Sequence, residues 1–216
     1  MSRATAIALA AGLCMAAASP PLAGQSALRL SAAAEGATVR ARSLIPSGRE
    51  RLDGYLFAGE GLLSRGRARL RLRYGQGRLT SDSAGVRPRS LTDGAALLGV
   101  VALPWLDFWA GPHARSYVTD LGNQRWLYWE ARASANAQLV PRQLQSFFDG
   151  WVAVAGRVNV PESFGSARGA EVGVIARIAR PALRLRLAYR IDQARLAAGR
   201  RETVEVVALS LGRDLR

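Results

Sequence analysis

The chain has 216 residues and no lysine; all 30 of its basic residues are arginine. Cysteine occurs once, as Cys14, and histidine once, as His113. With its one cysteine inside an N-terminal apolar stretch, the rest of the chain has no disulfide and no thiolate metal site. A single histidine leaves too few soft ligands for a transition-metal centre, and no glycine-rich phosphate loop or HExxH-type motif is present. Cofactors are therefore not expected. The longest uninterrupted apolar run, Ala6 to Ala18, is 13 residues, too short to cross a bilayer as a helix. Against these absences stand a net charge of +14, 49% hydrophobic residues and 22 glycines. That much apolar surface excludes a disordered polybasic tail and predicts one folded domain.

The N-terminus reads as a secretory signal: Met1-Ser2-Arg3 is a positive n-region, Ala6 to Ala18 the apolar core, and small residues near Ala18 and Ala23 suit a peptidase. The expected organisation is a cleaved signal over 1–24 and a single domain over 25–216. Leu13, directly before Cys14, does not fit a lipoprotein box.

Beyond about Ala27 the hydrophobic pattern has a period of two. Leu183, Leu185, Leu187, Tyr189 and Ile191 alternate with Arg184, Arg186 and Arg190; Leu70, Leu72 and Tyr74 alternate with Arg69, Arg71 and Arg73. Leu127 and Trp129 oppose Tyr128, Glu130 and Arg132, and Val172 and Val174 share a face that excludes Glu171 and Arg177. A helix would scatter these residues around its circumference. Extended along the chain, the pattern predicts ten strands, near 27–35, 51–63, 66–76, 93–103, 108–118, 124–139, 147–159, 168–178, 182–192 and 202–212. Long gaps of 15, 16, 5, 8 and 9 residues then alternate with short ones of 2, 4, 7 and 3. Several strands run to 11 residues or more, close to the ~9–11 needed to cross a bilayer at a tilt. Trp105, Phe108, Trp109, Tyr117, Trp126, Trp129, Phe147, Phe148 and Trp151 gather at strand ends, as interfacial girdles do.

These features, with segments such as Trp109-Ala-Gly-Pro-His-Ala-Arg-Ser-Tyr117, resemble a small bacterial outer-membrane β-barrel. The resemblance implies an all-β, antiparallel, up-and-down transmembrane barrel of about ten strands, eight being the alternative, in the outer membrane, with both chain ends on the periplasmic side. One departure is the C-terminus: such barrels typically finish on an aromatic residue, whereas this chain finishes Ser210-Leu-Gly-Arg-Asp-Leu-Arg216.

In a membrane barrel the charged faces turn inward. The expected lumen network is Arg69, Arg71, Arg73, Arg115, Arg132, Arg157, Arg177, Arg184, Arg186 and Arg190, with Glu60, Glu130, Asp149, Glu171 and Glu205 as counter-charges. The expected lipid-facing set is Leu70, Leu72, Tyr74, Leu127, Trp129, Val172, Val174, Leu183, Leu185 and Leu187. About eight strands leave just enough room for interior side chains, so a ten-stranded lumen rich in arginine should be largely plugged. A narrow anion-selective pore is the lesser alternative. The long connections would carry Arg40, Arg42, Arg49, Arg78, Arg87, Arg89, Arg195, Arg200 and Arg201 towards the phosphates of lipopolysaccharide. Expected partners are outer-membrane lipid, lipopolysaccharide and the barrel-assembly machinery; nucleic acid is not among them, and the chain should be a monomer with a structural, adhesive or small-solute role. The competing possibility is a soluble periplasmic barrel, lipocalin-like, with its apolar face inward. An outer-membrane lipid hydrolase would have to use His113, and Ser116, three residues on, points to the opposite face of a strand. No enzymatic activity is expected.

Overall fold

The computed structural model describes residues 27–45, 48–81, 87–119, 122–160, 162–178, 182–197 and 199–215. The signal segment lies outside them. Ten antiparallel strands follow one another: β1 (Arg29–Ile45), β2 (Gly48–Arg65), β3 (Ala68–Thr80), β4 (Arg89–Leu103), β5 (Leu106–Thr119), β6 (Gly122–Val140), β7 (Leu144–Val158), β8 (Phe164–Ile178), β9 (Leu183–Leu196) and β10 (Arg201–Leu215). Each pairs with its sequence neighbours, and β1 pairs with β10 to close the barrel. Closure leaves no unpaired edge, the condition for placing a sheet in hydrocarbon.

The strands are 13 to 19 residues long, and most reach further than the periodicity predicts. The largest correction is at the first hairpin. In place of a 15-residue loop after residue 35, β1 continues to Ile45 and pairs with β2 down to Ile45↔Gly48. The period-two signal fades there because Arg40 and Arg42 occupy outward positions and small or β-branched Ala37, Val39 and Ala41 occupy inward ones. The clear alternation of long and short connections disappears with it; the longest connection is 81–88, between β3 and β4. We call the end carrying that connection the upper rim, and the end where β1 starts and β10 finishes the lower rim.

The polarity is the reverse of that of a water-soluble barrel. Leu72, Tyr74, Trp129, Val172, Leu187, Leu209 and Leu211 stand exposed on the outer wall, whereas Asp93, His113, Arg115, Glu130, Asp149, Glu171, Arg190 and Asp192 are buried inside. On β10 the outward apolar run is bracketed by Glu205 and Arg213, and on β2 by Asp53 and Arg65. At a rise of ~3.4 Å per residue and a tilt of ~40° these intervals stand roughly 20 and 30 Å tall, around the ~25 Å band that a transmembrane barrel presents.

The aromatic residues divide differently from a simple girdle. Trp105, Trp129 and Phe148 are exposed, but Trp109, Tyr117, Trp126, Phe147 and Trp151 are buried in the lumen, together with Tyr128. Their sockets are inward glycines on the adjacent strand. Trp109 sits across from Gly99, Trp151 from Gly169 and Phe147 from Gly173. A Cβ on Gly169 would lie 2.3 Å from Trp151 Nε1, so the ring occupies space that any other residue would take.

Candidate functional site

The lumen is the candidate site, and it is layered. Beneath the upper rim the inward positions are apolar: Leu52, Leu56, Leu79, Leu91, Tyr117, Trp126, Leu196 and Val204 pack together. Two polar pairs are set among them. Tyr117 donates its hydroxyl to Glu202 (2.6 Å), and Arg89 donates to Glu50 (2.5 Å).

The middle layer is ionic and centres on Asp93, which accepts hydrogen bonds from Arg73 (2.5 Å), Arg115 Nε (2.8 Å) and His113 Nε2 (3.1 Å). The other nitrogen of His113 lies 2.9 Å from Glu130, which also takes Arg132 at 2.9 Å. A doubly protonated imidazole satisfies both carboxylates at once. Arg115 continues to Asp192 (2.7 Å), which also accepts from Trp151 Nε1 (3.2 Å). Arg73 continues to Glu35 (2.7 Å), and Arg186 pairs with Glu171. Through Arg132 and Arg71 the chain of contacts reaches Asp149. Members come from every strand except β2 and β10, so the layer ties eight strands across the barrel axis. Arginine suits this role because its planar fork serves two carboxylates while staying charged. Aromatic rings cap the layer: Tyr128 stacks on Trp151 (centroids 5.4 Å apart) and His113 packs on Tyr128 (4.7 Å).

The lower layer is more open. Arg69 pairs with Asp107, Arg71 lies over the Trp109 ring at 4.3 Å, Arg177 reaches Gln145, and Arg184 reaches Asp214 near the rim. Two of the cavities left in the lumen lie beside the ionic layer. One, about 40 Å³, is lined mainly by Glu35, Glu60, Arg71, Arg73, Arg132, Glu171, Arg186 and Arg190; the other, about 10 Å³, lies among Arg115, Trp126, Tyr128, Trp151, Asp192 and Glu202. They have no lining residue in common. The larger has room for about three waters and the smaller for one.

Of the lumen residues expected from the sequence, Arg69, Arg71, Arg73, Arg115, Arg132, Arg177, Arg184, Arg186, Arg190, Glu60, Glu130, Asp149 and Glu171 occupy inward positions. Two do not. Arg157 is exposed on the outer wall, because the register shifts between Trp129↔Ala155 and Glu130↔Ala153 and the extra residue, Val154, reverses the parity of the rest of β7. Glu205 also faces outward, between inward Val204 and Val206, and pairs with Arg42 at 3.0 Å. The rule that apolar residues face lipid fails near the upper rim, where the lumen itself is apolar. Six inward carboxylates escape the sequence pattern: Glu35, Glu50, Asp93, Asp107, Asp192 and Glu202. With them the inward positions hold eleven arginines, Arg29 and Arg89 included, against eleven carboxylates, Asp214 included. The lumen is close to neutral, not ten against five.

The outer wall carries Leu70, Leu72, Tyr74, Leu127, Trp129, Val172, Val174, Leu183, Leu185 and Leu187 on one parity throughout. Of the arginines expected in long loops, only Arg87 and Arg200 lie in connections; Arg89 points inward. Arg40, Arg42, Arg49, Arg78, Arg195 and Arg201 are on strand ends, exposed on the outer wall at the upper rim, where Arg51, Arg125, Arg157 and Arg168 join them. Ser116 also faces outward and hydrogen-bonds to Asn123 (2.7 Å), on the opposite side of the wall from His113. Among the described residues no hydroxyl hydrogen-bonds to His113, and no group of three metal-ligating side chains is present.

No protein-family model and no curated protein matches the chain. Solved structures do. The translocator domain of the autotransporter NalP from Neisseria meningitidis superposes with a TM-score of 0.50 at 13% identity, covering 96% of each chain. Neisserial surface protein A (NspA) superposes at 0.40, with 11% identity over 84% of this chain and 96% of that one. An outer membrane channel from Pseudomonas putida F1 gives 0.47, with 9% identity over 91% and 100%. The fold is that of an outer-membrane β-barrel.

Proposed function

We propose that this chain resides in the outer membrane as an occluded barrel, a structural element of the envelope that neither conducts solutes nor catalyses a reaction. The observation that carries this reading is the middle layer: carboxylates and arginines from eight strands meet across the axis, with an aromatic and aliphatic layer above them. The small cavities beside that layer, which share no lining residue, agree with it, since a chloride or phosphate would need a continuous wet path. Short connections at both rims also argue against a large adhesive surface. Among the described residues His113 has two carboxylates and two rings around it and no hydroxyl bonded to it, which supports a role in neutralising and bracing the layer.

The test is electrical. Purified protein, refolded in detergent until its circular dichroism is that of a β-barrel, is added to planar bilayers. The expected result is insertion without unitary conductance steps. Sustained anion-selective steps would overturn occlusion and favour a narrow pore.

A further inference from the structure

The arginine excess has to sit somewhere, and the lumen does not hold it: charges there nearly cancel. It sits on the outer wall at the upper rim, where ten exposed arginines are accompanied among the described residues by two outward carboxylates, Asp53 and Glu205. Asp53 serves both Arg40 and Arg51 (2.8 Å each), and Glu205 takes Arg42. Arg195 and Arg201 have no ion-pair partner among the described residues.

The register makes these side chains contiguous. Arg195 lies directly across from Arg201 on β9 and β10, and Arg42 directly across from Arg51 on β1 and β2. Arg168 is across from Gln193, one outward position from Arg195; Arg201 is across from Leu44, one outward position from Arg42. A belt therefore runs from β8 through the β10–β1 seam to β2. Like charges directly opposite each other on a sheet repel and destabilise it. Glu205 and Asp53 offset the repulsion between Arg42 and Arg51, whereas Arg195 and Arg201 have no such carboxylate among the described residues, and a multivalent anion between their guanidinium groups would offset it. Directly beneath, the same faces turn apolar: Tyr189 and Leu187 on β9, Val207 and Leu209 on β10, Tyr55 and Phe57 on β2. An anion at this height with hydrocarbon attached to it is a lipid headgroup.

We infer that the upper rim binds the phosphate groups of membrane lipids, with Arg195 and Arg201 clamping a phosphate monoester and the rest of the belt adding positive charge around it. The inference rests on the membrane reading above and adds to it which leaflet chemistry the barrel requires. Guanidinium forks pair bidentately with phosphate oxygens, and each arginine near an anionic surface contributes roughly a fivefold gain in binding.

The protein is reconstituted in phosphatidylcholine bilayers with and without a lipid bearing a phosphate monoester, and the thermal unfolding midpoint is followed by circular dichroism. The expected result is a higher midpoint in the doped bilayers, lowered again by salt, and loss of most of that increment in the R195Q/R201Q double variant. The R67Q variant, changed at the lower rim, should keep it. In neutral detergent micelles the double variant should bind the phosphate lipid at least fivefold more weakly. Equal midpoints in both bilayers, an undiminished shift in R195Q/R201Q, or an equal shift produced by inorganic phosphate with neutral lipid would each overturn the lipid clamp while leaving the membrane reading intact. Failure to enter either bilayer would overturn the membrane reading and the clamp together.

Discussion

Asp93 is the residue on which the lumen depends most. It is 1% exposed and has three cationic neighbours within hydrogen-bond distance, Arg73, Arg115 and His113. Removing one side of a buried charge network leaves the other side desolvated and unpaired, which costs more than the pair contributes. Asp93→Ala should therefore lower unfolding stability by about 3–5 kcal/mol, measured by urea titration in detergent micelles. Adding Arg115→Met should recover part of that loss, because it removes one of the orphaned cations; a double variant as unstable as the sum of the two singles would deny the coupling. The importance of Asp93, unlike that of Arg115, is not visible in the local sequence. Asp93 stands in Leu91-Thr-Asp-Gly94 like an ordinary turn residue, and its partners are 20 or more positions away.

At the scale of a strand, parity governs everything, and two devices modulate it. The first is the bulge in β7, which sends Trp151 inward and Arg157 outward although they are six positions apart. Deleting Val154 removes the unpaired residue and leaves Trp129↔Ala155 and Leu127↔Arg157 in register, so Arg157 stays outward; the expected outcome is a barrel that still refolds, read as retained β-structure by circular dichroism. The second is the glycine socket. Gly169→Val would drive a side chain into Trp151 Nε1 and Asp192, at 2.3 and 2.5 Å from its Cβ. Overpacking of this kind costs roughly 1–3 kcal/mol, and Trp151→Ala in the same chain should relieve part of it, a coupling that a double-mutant cycle in thermal unfolding measures.

For the whole molecule, the inverted polarity makes a spectroscopic prediction. Trp129 is exposed on the outer wall and Trp151 is buried inside at 4% exposure. In variants that retain only one tryptophan, bilayers with brominated acyl chains should quench Trp129 strongly and Trp151 weakly. Comparable quenching of both, or none of either, would contradict the orientation of the wall. The same geometry redistributes charge: a net +14 is compatible with a lumen near neutrality because the arginines divide between an interior balanced by carboxylates and a rim that is not.

Strand number, meander topology and the outward set from Leu70 to Leu187 follow from the sequence by itself, because a side-chain period of two is a local property that needs no knowledge of partners. What only the tertiary structure decided is depth. Val204, Val206 and Leu52 are as apolar as Leu209 and Leu211, yet the former fill the upper lumen and the latter face outward. Strand parity and height along the axis determine which environment an apolar residue meets. Six inward carboxylates were hidden for the same reason: a charge takes its meaning from what lies across the barrel, and closure of β1 on β10 brings Glu35 to Ser210 over 175 residues of chain.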